Sequence, residues 1–124
     1  FIVVAATNNK EINKNIGIYC RSCGKLVNVV DDIKLSNYTV PSYVKRGDLL
    51  ISISTGGKSP SLSSKIKKEL EEKYDDSYEE YINILGEIRQ KVIKNYKNIS
   101  ERRKVLKDLV NLDLEELKTL ENKF

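Results

Sequence analysis

The sequence has 124 residues, of which 40% are apolar and 32% are charged, a composition that can form a modest hydrophobic core. Its longest unbroken apolar run, residues 1–6, is far shorter than the roughly 18 to 20 residues that span a membrane, so no membrane partner is expected. It contains no His, which excludes a Ser-His-Asp triad or a His-ligated metal within these residues. Acid-base chemistry must therefore come from carboxylates, lysines, tyrosines or a cofactor.

The net charge of +4 belongs to one half of the sequence. Residues 1–60 have eight basic and four acidic side chains, whereas residues 61–124 have fourteen of each. The basic half indicates an anionic partner, with a solvated basic surface as an equal alternative. Because the second half is neutral and lacks the basic groove that nucleic acid requires, no nucleic-acid partner is expected.

Cys20 and Cys23 form a C-x-x-C pair. A structural zinc site needs a second pair of ligands, which this sequence does not contain, so no metal site is predicted. We interpret the thiols as buried or incidental groups in a reducing cytoplasm, which is the expected location of the protein.

Periodicity in the first 54 residues predicts alternating strands and a helix. The run 1–6 is apolar without alternation, as expected for a parallel strand that is buried on both faces. The following elements are a helix over 8–22 that stops at Gly24, a strand over 26–30, a loop over 31–46 and a strand over 48–54. This order is typical of an open α/β sheet whose strand ends bind ligands. The apolar face of the helix is predicted to consist of Ile12, Ile16, Tyr19, Cys20 and Cys23.

After Pro60, apolar residues recur at helical spacing. One helix is predicted before residues 75–77 and a second after them. A third begins at an N-cap Ser100, and Asp113 caps a last short helix. A neutral helical segment with apolar stripes indicates a folding or dimerisation surface. The stripes of the first two helices are Leu62, Ile66, Leu70 and Tyr74, followed by Tyr78, Tyr81, Ile82, Leu85, Ile88, Val92 and Tyr96.

Two polar segments follow predicted strands. Asp31 ends the segment VNVVD at the sheet edge that faces the crevice, where a general acid or base would lie; the alternative is an ordinary loop start. Residues 54–61 (STGGKSPS) combine two glycines with a helix N-terminus, which is typical of an anion site. The spacing is not that of a Walker A loop, and a plain turn before Pro60 explains the segment equally well.

The ordered set VVAATNN, VNVVDD, Tyr38-x-x-Pro41-Ser42 and RGDLLISISTGGKSPSLSSKIKKELEE resembles the precorrin-2 dehydrogenase family, the NAD-dependent half of siroheme synthases. In that family a Rossmann domain precedes a helical dimerisation region and a small helical domain. The resemblance therefore implies an α/β fold in which residues 1–58 form the C-terminal part of a Rossmann-like NAD-binding domain. Residues 59–124 would form the helical part, and a first β-α-β stretch with the Gly-rich dinucleotide loop would precede residue 1.

The resemblance implies NAD-dependent oxidation of precorrin-2 to sirohydrochlorin in siroheme biosynthesis, by a cytoplasmic homodimer. Some members also insert Fe²⁺. Asp31 aligns with the family's important carboxylate and would act as the catalytic acid or base. The segment 55–57 stands where some members have Ser-Gly-Gly, a tetrapyrrole-site and modification point, and Tyr38 stands where Phe is more common. The implied substrate-binding residues are Asn28, Tyr38, Ser54, Thr55, Gly56, Gly57 and Ser59, and the implied cofactor-binding residues are Ala6, Thr7 and Asn8.

Two competing functions remain open at this point. A non-enzymatic tetrapyrrole- or metal-binding module would keep the loop at 55–57 without depending on NAD. A nucleic-acid-binding helical protein would instead show strongly salt-dependent binding.

Overall fold

The structure, a computed structural model, describes residues 1–121. It contains two compact units, the first formed by residues 1–42 and 52–66 and the second by residues 43–51 and the chain from Lys67 onward. The predicted division into domains 1–58 and 59–124 stays a prediction, and its last three residues lie outside the described residues.

The first unit begins with a strand-helix-strand motif. Strand β1 (Ile2–Ala5) and strand β2 (Leu26–Val29) are parallel, with Ile2 opposite Leu26, and helix α1 (Lys10–Ser22) connects them. A parallel pair requires such a crossover connection, so the predicted α/β motif is confirmed. The buried core of this motif comprises Ala5, Cys20, Val27 and Val29, with Val3, Ile16 and Leu35 packed against it.

The prediction that β1 is buried on both faces is wrong. Ile2 and Val4 are 65% and 55% exposed, and Leu26 in β2 is 46% exposed. Successive side chains of a strand alternate between the two faces, and α1 packs on the face that carries Ala5 and Val27. The continuous apolar run therefore does not lie between two covering layers in this chain.

The buried face of α1 also differs from the prediction. Ile16 and Cys20 pack inwards as expected, whereas Tyr19 is 65% exposed and Ile12 and Cys23 are exposed too. The contact is centred on Gly17 instead, where an added Cβ would lie 2.7 Å from Cγ2 of Val29. Close approach at this glycine turns the bulky neighbours outwards and buries the face formed by Asn13, Gly17 and Cys20.

The prediction of a loop over residues 31–46 is wrong in its last part, which contains a further strand. Strand β3 (Ser42–Arg46) pairs with β4 (Leu49–Ile53) in a sheet separate from β1 and β2. Only two residues connect these strands, and Gly47 has a φ of +56°, as the first central residue of a type II′ turn requires. Because a two-residue connection makes a hairpin, β4 pairs with β3, its neighbour in sequence.

Four helices follow in the described residues after β4. Helix α2 (Pro60–Lys73) is followed by α3 (Ser77–Asn95), α4 (Ile99–Leu109) and α5 (Leu114–Glu121). The buried core of the second unit's helices comprises Ile84, Ile88, Val92, Leu109 and Leu117. No helix among residues 1–121 has the length and apolar content needed to cross a bilayer.

Two predicted helix starts have different outcomes. The side chain of Asp113 accepts a hydrogen bond from the Glu116 N–H, and the Glu116 carboxylate accepts one from the Asp113 N–H, so the cap of α5 is confirmed as a capping box. Ser100 is not the cap of α4. The Asn98 side chain accepts hydrogen bonds from the N–H groups of Ser100 and Glu101, which places the cap two residues earlier.

Candidate functional site

The carboxyl ends of β1 and β2 lie at the same edge of the parallel sheet. The Val30 N–H donates to the Ala5 carbonyl at 3.1 Å, which continues the pairing to the last residue of β1. Thr7 follows one strand and Asp31 the other, and in open α/β folds this edge is where ligands bind. The sequence-predicted acid or base and the predicted cofactor segment are therefore at neighbouring strand ends.

Asn13, a residue that the sequence reasoning missed, connects these two strand ends. Its side chain is fully buried. Oδ1 accepts hydrogen bonds from the Thr7 N–H at 2.9 Å and the Thr7 hydroxyl at 2.7 Å, and Nδ2 donates to the Thr7 carbonyl at 3.0 Å. Nδ2 also lies 3.5 Å from Oδ2 of Asp31. The feature of the sequence that could have identified Asn13 is its position on the same helix face as the small residues Gly17 and Cys20.

The two consecutive carboxylates at the end of β2 have different surroundings. Oδ1 of Asp32 accepts hydrogen bonds from the N–H groups of Lys34 and Leu35, at 2.9 and 3.4 Å, so Asp32 shapes the loop after β2. Asp31 is exposed at the sheet edge, with Oδ2 facing Asn13. Of the two, Asp31 has the carboxylate that is exposed and faces Asn13 instead of the loop backbone.

The predicted cofactor-binding residues form the turn between β1 and α1. Ala6, Thr7 and Asn8 are all exposed at the sheet edge, and the bonds of Thr7 to Asn13 fix the backbone of this turn. The backbone of this turn is therefore accessible from outside. The printed sequence has no G-x-G-x-x-G motif, so the turn lacks the glycines of a pyrophosphate-binding loop.

A cavity of about 310 Å³ lies within the first unit, next to the end of β2. Four of the predicted substrate-binding residues line it, namely Asn28, Ser54, Thr55 and Gly57. In the described part of the chain the side-chain amide of Asn28 makes no hydrogen bond. The remaining polar lining comes largely from neutral hydroxyls such as those of Ser36, Thr39, Ser42, Ser63 and Ser64, and no lining residue is charged. The cavity therefore offers hydrogen bonds without a fixed charge.

The structure does not bring the other three predicted substrate-binding residues to this cavity. The Tyr38 hydroxyl donates to the Val3 carbonyl at 3.2 Å, and the Ser59 hydroxyl accepts from the Leu62 N–H at 3.3 Å, as a helix cap does. Gly56 has a φ of +60° and open space at its missing Cβ. Their roles in binding stay predictions.

The loop between β4 and α2 is held closed by its own hydroxyl groups. The Thr55 hydroxyl accepts from the Ser59 N–H at 3.1 Å and lies 3.2 Å from the Ser59 carbonyl, to which it donates. The buried Ser63 hydroxyl is 3.4 Å from both Oγ1 of Thr55 and the Ser59 carbonyl. The hydrogen-bonding groups of Thr55 thus close the loop, and its remaining surface faces the cavity.

Gly57 brings this loop against the loop that follows β2. A Cβ at this position would lie 1.7 Å from Cδ1 of Ile33, and its φ of +76° is in the left-handed region. Only glycine satisfies both conditions without displacing its neighbour. Gly57 therefore shapes the cavity wall, and this role is independent of any bound anion.

No group of three or more potential metal ligands from Cys, Asp and Glu occurs among residues 1–121. Cys20 is buried and Cys23 is exposed, and neither forms a disulfide.

Comparison with known proteins gives two family matches in chain order. Residues 1–42 match the model described as putative NAD(P)-binding, and residues 46–73 match the one described as sirohaem biosynthesis protein central. The sequence is 38% identical over 104 residues to a siroheme synthase of Xylella fastidiosa and 36% identical over 104 residues to a precorrin-2 dehydrogenase of Priestia megaterium. Along most of its length the chain is similar to proteins of the precorrin-2 dehydrogenase and siroheme synthase family.

The solved structure of SirC, a precorrin-2 dehydrogenase, matches the whole chain with a TM-score of 0.78 and 30% identity. This likeness confirms the predicted Rossmann-type α/β fold and the resemblance on which it was based. The two aligned sequences each cover 84% of this chain, but the chain spans 22% of the siroheme synthase and 50% of the dehydrogenase. It spans 64% of the SirC chain.

Proposed function

We propose that this chain carries the proton-transfer and substrate-binding part of an NAD-dependent precorrin-2 dehydrogenase, which forms sirohydrochlorin in siroheme biosynthesis. One observation carries the proposal: the exposed Asp31 and the turn at Thr7 lie at one sheet edge and are both contacted by the buried Asn13. The family matches over residues 1–42 and 46–73 support the same function.

The reaction removes a hydride and a proton from the macrocycle. When bound, NAD⁺ supplies a hydride acceptor and takes both electrons as it becomes NADH. Ala6, Thr7 and Asn8 would hold the dinucleotide at the end of β1. Asp31 accepts the proton on its carboxylate and releases it to water, because its side chain is exposed. No imidazole is required for this step.

The cavity fits one edge of the substrate. Its volume of about 310 Å³ is at the lower end of the roughly 300 to 1,000 Å³ of small-molecule sites, so it accommodates one ring edge of a tetrapyrrole. Asn28 and the surrounding hydroxyls would donate hydrogen bonds to an acidic side chain of that ring. The excess of basic residues among residues 1–60 favours the remaining carboxylates of the substrate.

We extend the proposal to a homodimer in the cytoplasm. The two free cysteines suit a reducing compartment. The dimer follows from the resemblance to the precorrin-2 dehydrogenase family, in which the helical region is the dimerisation region. Sedimentation velocity of the protein tests the dimer directly, and a monomer at micromolar concentration would contradict it.

The test uses the protein that carries this chain, with precorrin-2 and NAD⁺, and follows NADH formation. Replacement of the base in Asp31→Asn is expected to lower turnover by about 100-fold or more, as general-base losses do. Asp32→Asn is the matched control, because it removes the neighbouring charge while its side-chain oxygen can still accept from the loop. We expect it to retain turnover within about threefold.

Equal turnover in Asp31→Asn and the wild type would contradict the role of Asp31. Binding of the tetrapyrrole without NAD⁺-dependent oxidation by the wild type would favour the alternative, a non-enzymatic binding module.

A further inference from the structure

Asn13 is one of two buried polar residues among residues 1–121, and the loop bonds already described account for the other, Ser63. A side-chain amide offers two donor hydrogens and, at its oxygen, two acceptor lone pairs. All four are used here: the oxygen accepts twice from Thr7, and the nitrogen contacts the Thr7 carbonyl and the Asp31 carboxylate. Every donor and acceptor of this amide therefore has a partner at one of the two strand ends.

From this arrangement we infer that Asn13 is a positioning residue, which sets the orientation of the Asp31 carboxylate relative to the cofactor turn at Thr7. The inference rests on the proposed function, because Asn13 has a catalytic geometry to set only if Asp31 transfers the proton and the cofactor binds at Thr7. The Asn13 N–H that faces Oδ2 of Asp31 leaves the second carboxylate oxygen to receive the proton from the substrate.

Maintenance of helix α1 alone does not account for this arrangement. The first turn of α1 is already capped by Asn9, whose side chain accepts from the N–H groups of Glu11 and Ile12. Asn13 lies one turn further along, and one of its bonds leaves the β1–α1 turn for a residue 18 positions away. The 3.5 Å separation is at the outer limit of hydrogen bonding, a length common for catalytic contacts before substrate binds.

The key variant is Asn13→Asp, which keeps the oxygen that accepts from Thr7. It replaces the nitrogen that donates to the Thr7 carbonyl and faces Asp31 with a carboxyl oxygen. We expect kcat for NAD⁺-dependent oxidation to fall by about tenfold or more, while the KM values for both substrates change by less than about threefold. Asn9→Asp is the matched control. It makes the same exchange on the exposed cap of the same helix, where Asn and Asp cap equally well, so kcat is expected to stay unchanged.

A double-mutant cycle separates positioning from a general structural defect. If Asn13 acts through Asp31, then Asn13→Asp changes kcat by less than about twofold in the Asp31→Asn background. A fall by the same factor in both backgrounds, or unchanged kcat in the single variant, would overturn the inference.

A spectroscopic measurement tests the contact without any turnover. The ¹⁵N and ¹H resonances of the Asn13 side-chain amide in the whole protein are expected to shift in Asp31→Asn and to stay in place in Asp32→Asn. This measurement stands even if Asn13→Asp does not fold. Absence of wild-type turnover with an Asp31-dependent shift would defeat the proposed function and leave the contact, whereas an unmoved resonance in Asp31→Asn would defeat the inference.

Discussion

The two units bury different kinds of side chain. The first unit buries Asn13 and Ser63 together with small apolar residues, whereas the helical core of the second consists of Ile, Val and Leu only. In the first unit, buried amide and hydroxyl groups fix the turns next to the candidate site. In the second, burial of large apolar side chains stabilises the helices. The difference indicates that polar burial in the first unit serves geometry at some cost in hydrophobic stabilisation.

Loss of a large buried side chain tests the core of the second unit. Ile88 is fully buried, and Ile88→Ala is expected to lower the free energy of unfolding by about 3 kcal/mol, from lost burial and the cavity left behind. Urea unfolding followed by circular dichroism measures this change. Ile99→Ala is the control, since Ile99 is 62% exposed and should cost about 0.5 kcal/mol. Equal costs for the two variants would mean that burial of large apolar side chains does not stabilise the second unit.

A glycine pair in the first unit provides a sharper test of geometry. Both Gly56 and Gly57 have positive φ, so Ala costs about 1 to 2 kcal/mol at either position from backbone strain. Only Gly57→Ala also meets Ile33, and we expect it to cost about 2 kcal/mol more than Gly56→Ala, measured by the same unfolding experiment.

Truncation of the facing side chain checks the cause of that difference. In an Ile33→Ala background the new methyl group at residue 57 has room, so the excess cost of Gly57→Ala should fall below about 1 kcal/mol. An unchanged excess would mean that the contact with Ile33 does not determine the choice of glycine.

Local sequence patterns predicted the fold class and most of the helices and strands, whereas the details of the site depended on packing. The apolar run of β1 and the stripe of α3 are long enough to identify from the sequence. The orientation of α1 was missed because Gly17 gives no hydrophobic signal, although it determines which face meets Val29. Asn13 lies on the same face as Gly17, and the pattern of apolar residues did not separate it from the exposed polar residues around it.

Beyond the elements, the sequence located the loops of the site better than the roles of their side chains. Residues 54–61 were predicted as an anion-binding loop, and four of them line the cavity. The Thr55 hydroxyl is used within the loop itself, however, and the Tyr38 hydroxyl is bonded to Val3. The bond between Tyr38 and Val3 joins residues 35 positions apart, and no local spacing in the sequence encodes it.

The smallest expected effect concerns the cap of α4 in the second unit, where polar bonds should contribute stability alone. Asn98 accepts from two N–H groups at the start of this helix, so Asn98→Ala is expected to cost about 1 kcal/mol in urea unfolding. Ser100→Ala, at the position that the sequence favoured as the cap, should cost less than about 0.5 kcal/mol. Turnover per folded molecule should stay at the wild-type level in both variants. A loss of turnover in Asn98→Ala would show that polar contacts in the helical unit also set the geometry of the active site, and the division of roles between the units would no longer hold.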